Sequence, residues 1–351
     1  MWLNALMGLP ESELLKGVSR SFYLTLRVLP RAIRSQIGIA YLLARATDTI
    51  ADTPLVTRDR RLAALREMRD AIRDAADGGH SAPPDFGELA AAREATAGSG
   101  APAERTLLEQ APRILEKLAA LEPADRGLIL DLLVVITRGQ EADLRRSGAP
   151  GGGGIAALDT DNELEEYTYC VAGCVGEFWT RMCRARLFPR AELDDVSLLA
   201  DAIRFGKGLQ FVNILRDLPA DLRQGRCYLP QSRLREIGLE PPALLQPGSM
   251  ERFRPLYDGY LRHAEDLLEA GWRYTNALPH DEIRVRLACA WPVLIGLKTI
   301  ARLRTANVLD GRQRVRVSRS EVRLLVLRSL LCYPHARSWD RLPALASGKR
   351  A

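Results

Sequence analysis

The stretch RATDTIADT, residues 45–53, lies within a long and mostly apolar part of the chain. Asp48 and Asp52 are four positions apart in it, so on a helix they project from one side, one turn from each other. Like charges so placed repel one another by roughly a few tenths of a kcal/mol on a wet surface, and by more where water is scarce. The pair therefore needs a neutralising group.

Two further polar side chains share the helix stripe of this pair. Tyr41 and Arg45 precede Asp48 by seven and three positions, which places a phenol and a guanidinium beside the carboxylates. Taken alone, an Asp-x-x-x-Asp pair is usually a solvated helix face, because charged residues are mostly exposed. The presence of Tyr41 and Arg45 on the same stripe favours a binding site instead.

A second pair, Asp217 and Asp221, lies in NILRDLPADLRQGRCYLP, residues 213–230. Pro219 separates its two members. Because proline lacks an N–H group, it is expected to end or kink the helix, so that Asp221 leaves the face that carries Asp217. Three residues with suitable polar side chains accompany this pair: Asn213, Arg216 and Arg226.

Two facing carboxylate pairs suit hard divalent cations that bridge them to a polyanion. Mg²⁺ prefers oxygen ligands and is commonly held by one or two carboxylates together with water and phosphate. Arginines bind the remaining phosphate charge through bidentate hydrogen bonds, and such a site stabilises the charge on a departing diphosphate. The carbocation left behind needs apolar walls, for which IGIAYLLA (37–44) and GLQFV (208–212) are candidates.

Composition narrows the classes of partner. The chain has 351 residues, 47% of them hydrophobic, with 50 Lys and Arg against 44 Asp and Glu and a formal net charge of +6. This mixed surface mildly favours anionic partners such as phosphates or lipid headgroups. A helical scaffold that binds nucleic acid is the alternative of another class, but the arginines are interleaved with acidic residues, so we expect no nucleic acid. The six cysteines form no C-x-x-C pair and are expected to be reduced, buried thiols.

Strand signals are almost absent, whereas helical periodicity runs through most of the chain. We predict one all-α domain over residues 1–351, with a core at about 12–333, a variable loop at 78–102, a flexible PGGGG at 150–154 and a polar tail at 334–351. The predicted helices lie near 11–17, 31–53, 58–77, 103–121, 123–146, 161–186, 192–217, 250–277, 281–305 and 319–332.

Neither a secretory signal nor a membrane-spanning helix is expected. The start, MWLNALMGLP, has no basic segment and no long apolar run. A spanning helix needs about 20 apolar residues, and LACAWPVLIGL and LLVLRSLLCY are shorter or interrupted. The chain is therefore expected to be cytoplasmic. Peripheral contact with a membrane through an apolar surface near VRLLVLRSLL is an open alternative, and core packing is the favoured interpretation of that helix.

Five separate blocks, in the same order, resemble the squalene and phytoene synthases, which join two isoprenoid diphosphates. They are VSRSFYLTL (18–26), YLLARATDTIADT (41–53), EYTYCVAGCVGEF (166–178), GLQFVNILRDLPADLRQGRCYLP (208–230), and ACAWPVLIGL leading into VLDGRQRVRVSRSEV (288–322). The resemblance implies a helical bundle of the isoprenoid synthase type with a central apolar cavity. The chain looks most like squalene synthase, because GRQRVRVSRSEV resembles an extension that helps to hold NADPH; a solvated basic turn is the alternative.

Carried over position by position, the resemblance implies five groups of site residues. Contact with the diphosphates is expected from Ser19, Arg20, Ser21, Arg45, Asn213, Arg216 and Arg226. Magnesium, with Mn²⁺ as an alternative, is expected on Asp48, Asp52, Asp217 and Asp221. Catalytic roles are expected for Tyr167, as a proton relay, and for Tyr41 and Arg45. NADPH is expected to contact Arg314, Arg316 and Asn213. The chain pocket is expected to be lined by Val171, Val175, Leu209 and Cys289, for which ordinary core packing is an equal alternative.

The resemblance also implies a reaction. Two molecules of farnesyl diphosphate would join head to head to give presqualene diphosphate, which NADPH would reduce to squalene. A dehydrosqualene, hydroxysqualene or phytoene synthase, which uses the same metal site without hydride reduction, is the nearest alternative. The chain departs from the family pattern at Ala51, where squalene synthases commonly carry Glu, and at Leu218, Pro219 and Ala220, where an aromatic residue and a further carboxylate are common. The number of metal ions stays open.

Overall fold

A computed structural model describes residues 14–18, 22–53, 55–79, 82, 84–95, 101–146, 154–313 and 315–348. These residues are mostly helical, which confirms the prediction of an all-α fold. Their contacts group the chain into two compact units, Met1–Arg145 with Phe178–Arg190, and Arg146–Glu177 with Ala191–Ala351. A single domain over 1–351 stays a prediction. Four predicted site residues lie outside the described residues: Ser19, Arg20, Ser21 and Arg314.

The first unit is built around one long helix, α2, which packs against α3, α5 and α6. Pro30 directly precedes α2, a position that proline tolerates because the first N–H groups of a helix have no partner within it. Ile33, Leu43 and Ile50 of α2 are fully buried. Besides the helical residues 14–18, the described helices of this unit are α1 (Phe22–Val28), α2 (Arg31–Ala51), α3 (Arg58–Asp77), α4 (Gly87–Glu94), α5 (Ala101–Glu109), α6 (Ala111–Ala119) and α7 (Pro123–Arg146).

The prediction of one continuous helix over 103–121 is wrong. The chain breaks at Gln110, where α5 has ended and α6 has not begun. Pro112 lies in the first turn of α6. Because proline has no N–H group, it cannot continue the hydrogen-bond ladder of a preceding helix but fits the start of a new one.

The second unit begins with a short strand and contains the longest helices. Its elements are β1 (Ala156–Leu158), α8 (Asp161–Thr168), a π-helical turn (Tyr169–Gly173), α9 (Cys174–Arg186, which groups with the first unit from Phe178 onward), α10 (Asp195–Arg223), β2 (Arg226–Pro230), α11 (Gln231–Glu236), two 3₁₀ turns (Pro241–Leu245 and Pro247–Ser249), α12 (Met250–Ala277), α13 (Ile283–Leu303), α14 (Arg319–Cys332), α15 (Ala336–Asp340) and α16 (Leu342–Ser347).

Helix α10 is the centre of the second unit and packs against α12, α13, the π-helical turn and β2. Two glycines allow the backbones to approach closely. A Cβ atom on Gly176 would lie 2.0 Å from the carbonyl oxygen of Ala202, and one on Gly206 would lie 2.2 Å from that of Ala172. Larger residues at these two positions would push the segment with the π-helical turn away from α10.

Two further expectations are corrected by the described residues. Helix α10 does not end before Pro219 but continues to Arg223. Core packing of VRLLVLRSLL is wrong for four leucines of α14, which are exposed because the helix buries only its opposite side. Among the described residues, no helix combines the length and apolar character that crossing a bilayer requires.

Candidate active site

The first aspartate pair lies at the C-terminal end of α2. Asp48 is in the last turn of the helix, and Asp52 is the residue directly after it. The backbone N–H of Asp52 still donates to the carbonyl oxygen of Asp48, at 2.9 Å, so the helical spacing extends to the second carboxylate. The structure therefore places the two side chains one turn apart, as the sequence predicts.

Arg45 joins the first aspartate to a carboxylate on another helix. Its Nη1 donates to Oδ2 of Asp48, and its Nη2 donates to Oε1 of Glu104 on α5. Glu104 is only 3% exposed and also accepts a hydrogen bond from Nε of Arg93. Burial lowers the pKa of the Arg45 guanidinium, but the carboxylates of Asp48 and Glu104 outweigh burial and raise it overall. Arg45 is thus the neutralising group that the sequence called for.

Glu104 is a site residue that sequence reasoning missed. A weak signal was present, because Glu104 falls on the same stripe of α5 as Ala101, Leu107 and Leu108, all of which are buried. A carboxylate at a core position is rarely found without a partner. The partners, however, are 59 and 11 residues away along the chain, so only folding reveals them.

The carboxyl group of Asp48 holds its proton more tightly than an ordinary aspartate. Its side chain keeps 41% of its surface accessible, but the surrounding protein still removes part of its water. This burial and then the charge of Asp52 raise the pKa of Asp48 from 3.8 to about 6, against the opposing effect of Arg45. A second cation beside the pair would relieve the remaining repulsion.

Tyr41 is tied to the segment before the predicted diphosphate motif at 19–21. Its hydroxyl group donates to the carbonyl oxygen of Val18, at 3.1 Å. Val18 directly precedes Ser19 in the chain. The hydrogen bond therefore joins α2 to Val18, whereas a catalytic role of Tyr41 stays a prediction.

The second pair lies on the accessible stripe of α10. Leu209, Asn213, Asp217 and Asp221 follow one another at four-residue spacing, and each is at least partly exposed. Arg216 donates from Nε to Oδ1 of Asp217, at 2.9 Å, and from Nη2 to Oδ2. This bidentate hydrogen bond, more than the neighbouring charges, raises the pKa of the Arg216 guanidinium despite partial burial. Asp217, like Asp48, is therefore paired with an arginine of its own helix.

The continuity of α10 through Pro219 has an identifiable cause. Proline has no N–H group to donate to the carbonyl oxygen of Leu215, four residues earlier. The hydroxyl group of Tyr257 on α12 donates to that oxygen instead, at 3.0 Å. Tyr257 is fully buried, and this burial raises the pKa of its phenol, which therefore stays protonated as a donor. The helix thus continues, and Asp221 remains on the stripe of Asp217.

A tight turn leads from α10 to the last predicted residue of this group. Gly225 has φ +77°, a left-handed conformation that favours glycine. Its carbonyl oxygen accepts from the N–H of Ala156, at 2.8 Å, and β2 begins at Arg226, opposite Ala156 in β1. The strand pair therefore fixes the backbone of Arg226 soon after Asp221.

Tyr167 lies on α8, next to the π-helical turn. Its ring stacks on that of Tyr228 in β2, with centroids 4.5 Å apart and planes inclined by 17°. Val171 lies in the π-helical turn and is partly exposed, as is Val175 one turn later. Cys289 on α13 is buried. The roles of these residues in proton relay and in lining a chain pocket stay predictions.

The predicted cofactor segment is only partly described. Arg316 is exposed, and its carbonyl oxygen accepts a hydrogen bond from Nη1 of Arg302. Arg302 also donates from Nη2 to Glu321 Oε1, at 2.6 Å, and Glu321 caps the start of α14 together with Ser318. The backbone at Arg316 is therefore held against α13, with its side chain on the surface.

A depression of about 340 Å³ lies elsewhere in the second unit. It is lined in part by Phe211, Glu165 and His263. A hydrogen bond from His263, and to a lesser extent Lys207, lowers the pKa of Glu165 to about 2 despite partial burial. None of the predicted site residues that the structure describes lines this depression, so we assign it no part in the site.

The carboxylates of the two motifs suit a magnesium ion whose coordination shell is completed by a bound ligand. Among the described residues, no three His, Cys, Asp or Glu side chains are close enough to hold a metal ion by themselves. Each aspartate motif offers two carboxylates with an arginine beside them. Mg²⁺ commonly takes one or two carboxylates and completes its shell with water and phosphate. The residues present therefore fit Mg²⁺ bound together with a phosphorylated ligand.

A sequence model of the squalene/phytoene synthase family matches residues 15–321. The chain belongs to this family. Among curated proteins, it is 31% identical over 226 residues to the bifunctional lycopene cyclase/phytoene synthase of Blakeslea trispora, a match that covers 64% of this chain and 33% of that protein. The chain spans a third to a half of the length of such bifunctional relatives.

Two further relatives carry other names within the family. The chain is 27% identical to the squalene synthase of Bos taurus, over 82% of this chain and 61% of that protein. It is 30% identical to the presqualene diphosphate synthase of Rhodopseudomonas palustris, over 66% of both chains. Relatives with three different names thus have nearly equal identity to this chain, and identity alone does not separate their products.

Solved structures of squalene/phytoene synthases share the fold. TcSQS in complex with the ligand BPH1237 superposes with a TM-score of 0.73 at 20% identity, over 96% of this chain and 89% of that chain. A dehydrosqualene synthase in complex with a ligand superposes with a TM-score of 0.66 at 22% identity, over 93% and 95%. The predicted isoprenoid synthase fold is confirmed; the central cavity stays a prediction.

Proposed function

We propose that the chain joins two molecules of farnesyl diphosphate head to head into presqualene diphosphate and reduces this intermediate to squalene with NADPH. One observation carries the proposal: each aspartate motif pairs with an arginine of its own helix, Arg45 with Asp48 and Arg216 with Asp217. Diphosphate chemistry needs this combination of metal-binding carboxylates and phosphate-binding guanidinium groups at one place. Membership of the squalene/phytoene synthase family supports the assignment.

Asp48, Asp52, Asp217 and Asp221 would hold Mg²⁺ or Mn²⁺, which neutralises the charge that develops on a departing diphosphate. Arg45 and Arg216 donate to Asp48 and Asp217. A guanidinium binds phosphate with the same planar geometry as carboxylate. We propose that both arginines turn to phosphate oxygens when substrate binds, assisted by Ser19, Arg20, Ser21, Asn213 and Arg226.

Tyr167 would relay the proton that is lost when the cyclopropane ring closes. A phenol with a pKa near 10 is a poor free base at neutral pH, so the relay runs through a hydrogen-bonded diphosphate. Stacking on Tyr228 limits the orientations of the phenol ring, which favours a defined direction for its hydroxyl group. Val171, Val175, Leu209 and Cys289 would exclude water, which would otherwise trap the cation as an alcohol.

NADPH would supply the hydride of the second step, and Arg314, Arg316 and Asn213 would bind it. The exposed side chain of Arg316 and its held backbone suit contact with a phosphate at the surface. The second candidate function is a dehydrosqualene, hydroxysqualene or phytoene synthase, which makes no use of this segment. The match to a bifunctional lycopene cyclase/phytoene synthase favours phytoene synthase among these three activities.

One assay separates these functions. Purified chain is incubated with Mg²⁺ and either farnesyl or geranylgeranyl diphosphate, with and without NADPH, and the products are identified by mass spectrometry. We expect presqualene diphosphate from farnesyl diphosphate without NADPH and squalene with it. Phytoene from geranylgeranyl diphosphate would establish the alternative. No consumption of either substrate in the presence of Mg²⁺ would refute both.

A further inference from the structure

Helix α14 presents four leucines to solvent. Leu324, Leu327, Leu330 and Leu331 are 46%, 53%, 47% and 65% exposed. Steps of three and four residues place them on one side of the helix, whereas the buried residues Leu325 and Ser329 lie on the other. Single exposed leucines are ordinary, but several on one helix face indicate a surface that binds something apolar.

The exposure does not come from a poorly attached helix. The indole Nε1 of Trp291 on α13 donates to the buried Ser329 Oγ, at 2.9 Å. The first turn carries a complete capping box between Ser318 and Glu321. Arg302 of α13 also donates to Glu321, so α14 is attached to α13 near both of its ends, and the leucines lie on the side away from that attachment.

The charges on α14 are as one-sided as its apolar residues. Arg319 and Arg323 are exposed on the same half of the helix as the four leucines. Glu321 is the one acidic residue of α14, and its carboxylate accepts from Arg302 on the side that faces α13. The outward half of α14 therefore combines leucines and guanidinium groups without a carboxylate.

We propose that this outward half, the α14 face (Leu324, Leu327, Leu330 and Leu331 with Arg319 and Arg323), docks on the surface of an anionic lipid bilayer. Leucines enter the boundary between headgroups and acyl chains, while arginines bind lipid phosphates from the same helix. A second copy of this chain fits less well, because two such faces would bring their arginines together without acidic partners.

Vesicle co-sedimentation of the full chain tests this proposal. Vesicles of phosphatidylcholine alone are compared with vesicles that contain a substantial fraction of phosphatidylglycerol. We expect binding to the anionic vesicles that weakens with added salt and is at least about tenfold weaker with neutral vesicles. The double variant Leu327→Ser with Leu331→Ser is expected to lose about tenfold in binding. Arg319→Gln with Arg323→Gln is expected to lose the preference for anionic lipid.

A matched control uses exposed apolar residues of the same unit outside α14. Val196→Ser with Leu245→Ser removes two such side chains and is expected to bind as the parent chain does. Circular dichroism and the thermal midpoint verify that every variant is folded, as expected for exposed positions. Equal binding of the leucine variant and the parent, equal affinity for neutral and anionic vesicles, or a dimer in light scattering that the leucine variant abolishes would each overturn the proposal.

Discussion

The two aspartate motifs have the same spacing, but the protein supports them in different ways. Asp48 and Asp52 lie at the end of α2, where Arg45 also donates a hydrogen bond to the buried Glu104. Asp217 and Asp221 lie within α10, where Arg216 binds Asp217 in bidentate fashion and, in the part of the chain that the structure describes, no third residue holds the arginine in this way. In the first motif, a buried carboxylate fixes the arginine. In the second, the helix backbone lacks one hydrogen bond at Pro219, and another side chain supplies it.

This difference shows that one chemical requirement can be met by side-chain electrostatics or by backbone hydrogen bonding. Glu104 keeps its arginine in place through charge. Tyr257 keeps Asp221 on the helix through the hydrogen bond that Pro219 cannot make. The two motifs should therefore respond alike to loss of a carboxylate and differently to loss of their supports.

The largest expected effect is shared by the two motifs. Asp48→Asn and Asp217→Asn should each reduce turnover of farnesyl diphosphate by about a thousandfold or more, because a neutral amide no longer stabilises the cation that assists diphosphate departure. Turnover is measured by diphosphate release at saturating Mg²⁺. Asp59→Asn, at an exposed position of α3, is the control and should keep its rate. A variant of either motif with the full rate would remove that motif from the reaction.

Glu104→Gln should affect the first motif alone. It leaves Arg45 and Arg93 without their buried acceptor, which we expect to lower the free energy of unfolding by about 2–3 kcal/mol, less than for a fully buried pair because both arginines are partly exposed. Chemical denaturation measures this loss. Glu109→Gln removes the exposed carboxylate that pairs with Arg105 on the same helix and should cost much less. Equal losses of unfolding free energy in the two variants would show that Glu104 contributes no more to stability than an exposed carboxylate does.

Tyr257→Phe should affect the second motif alone. Without the hydroxyl group, the carbonyl oxygen of Leu215 loses its buried partner, and we expect a loss of about 1–2 kcal/mol in unfolding free energy together with a higher Mg²⁺ requirement. Pro219→Ala restores an N–H group to the helix, so Tyr257→Phe should cost little in that background.

A double-mutant cycle between Tyr257 and Pro219 tests whether the Tyr257 hydroxyl group supports the helix at Pro219. Tyr260→Phe, on the same helix α12, is the matched control, because its hydroxyl group contacts Asp161 rather than the backbone of α10. Its effect should be the same in the parent chain and in the Pro219→Ala background. Additive effects of Tyr257→Phe and Pro219→Ala would contradict a role for Tyr257 in supporting the helix.

The smallest expected effect concerns pH. The pKa of Asp48 is about 6 in the folded chain and 3.8 ordinarily, so the folded chain binds the proton more tightly. The contribution of this carboxyl group to stability should therefore fall as pH rises from about 4 to 6 and stay constant above that range. Because the side chain is partly exposed, we expect a change of about 1 kcal/mol.

Unfolding of the parent chain and of Asp48→Asn in metal-free buffer measures this change as the difference between their pH profiles. Asp48→Asn should lack the decline, whereas Asp59→Asn should keep it. A parallel pair of profiles for the parent and Asp48→Asn would mean that the pKa of Asp48 is not raised.

Much of this fold could be predicted from local patterns. The helix at 31–53 and the placement of Asp48 beside Arg45 follow from the 3.6-residue period and from i, i+3 and i, i+4 geometry, which depend on neighbours in the chain. Pro112 and Pro219 show the limit. Both lack an N–H group, yet a helix begins at one and passes through the other. The distinction at Pro219 comes from Tyr257, whose hydroxyl group reaches a carbonyl oxygen 42 residues away along the chain.

The sequence by itself determined the all-helical class, the two aspartate motifs, the arginines beside them and the family, because each is written in residue types at short spacing. Only the tertiary structure decided that Glu104 binds Arg45 and that the leucines of α14 are exposed. It also decided that the hydroxyl group of Tyr257 supplies the hydrogen bond that lets α10 continue through Pro219. These features depend on which distant side chain comes within hydrogen-bonding range and on which side of a helix is covered. Both are set by packing between elements and not by the order of residues within one.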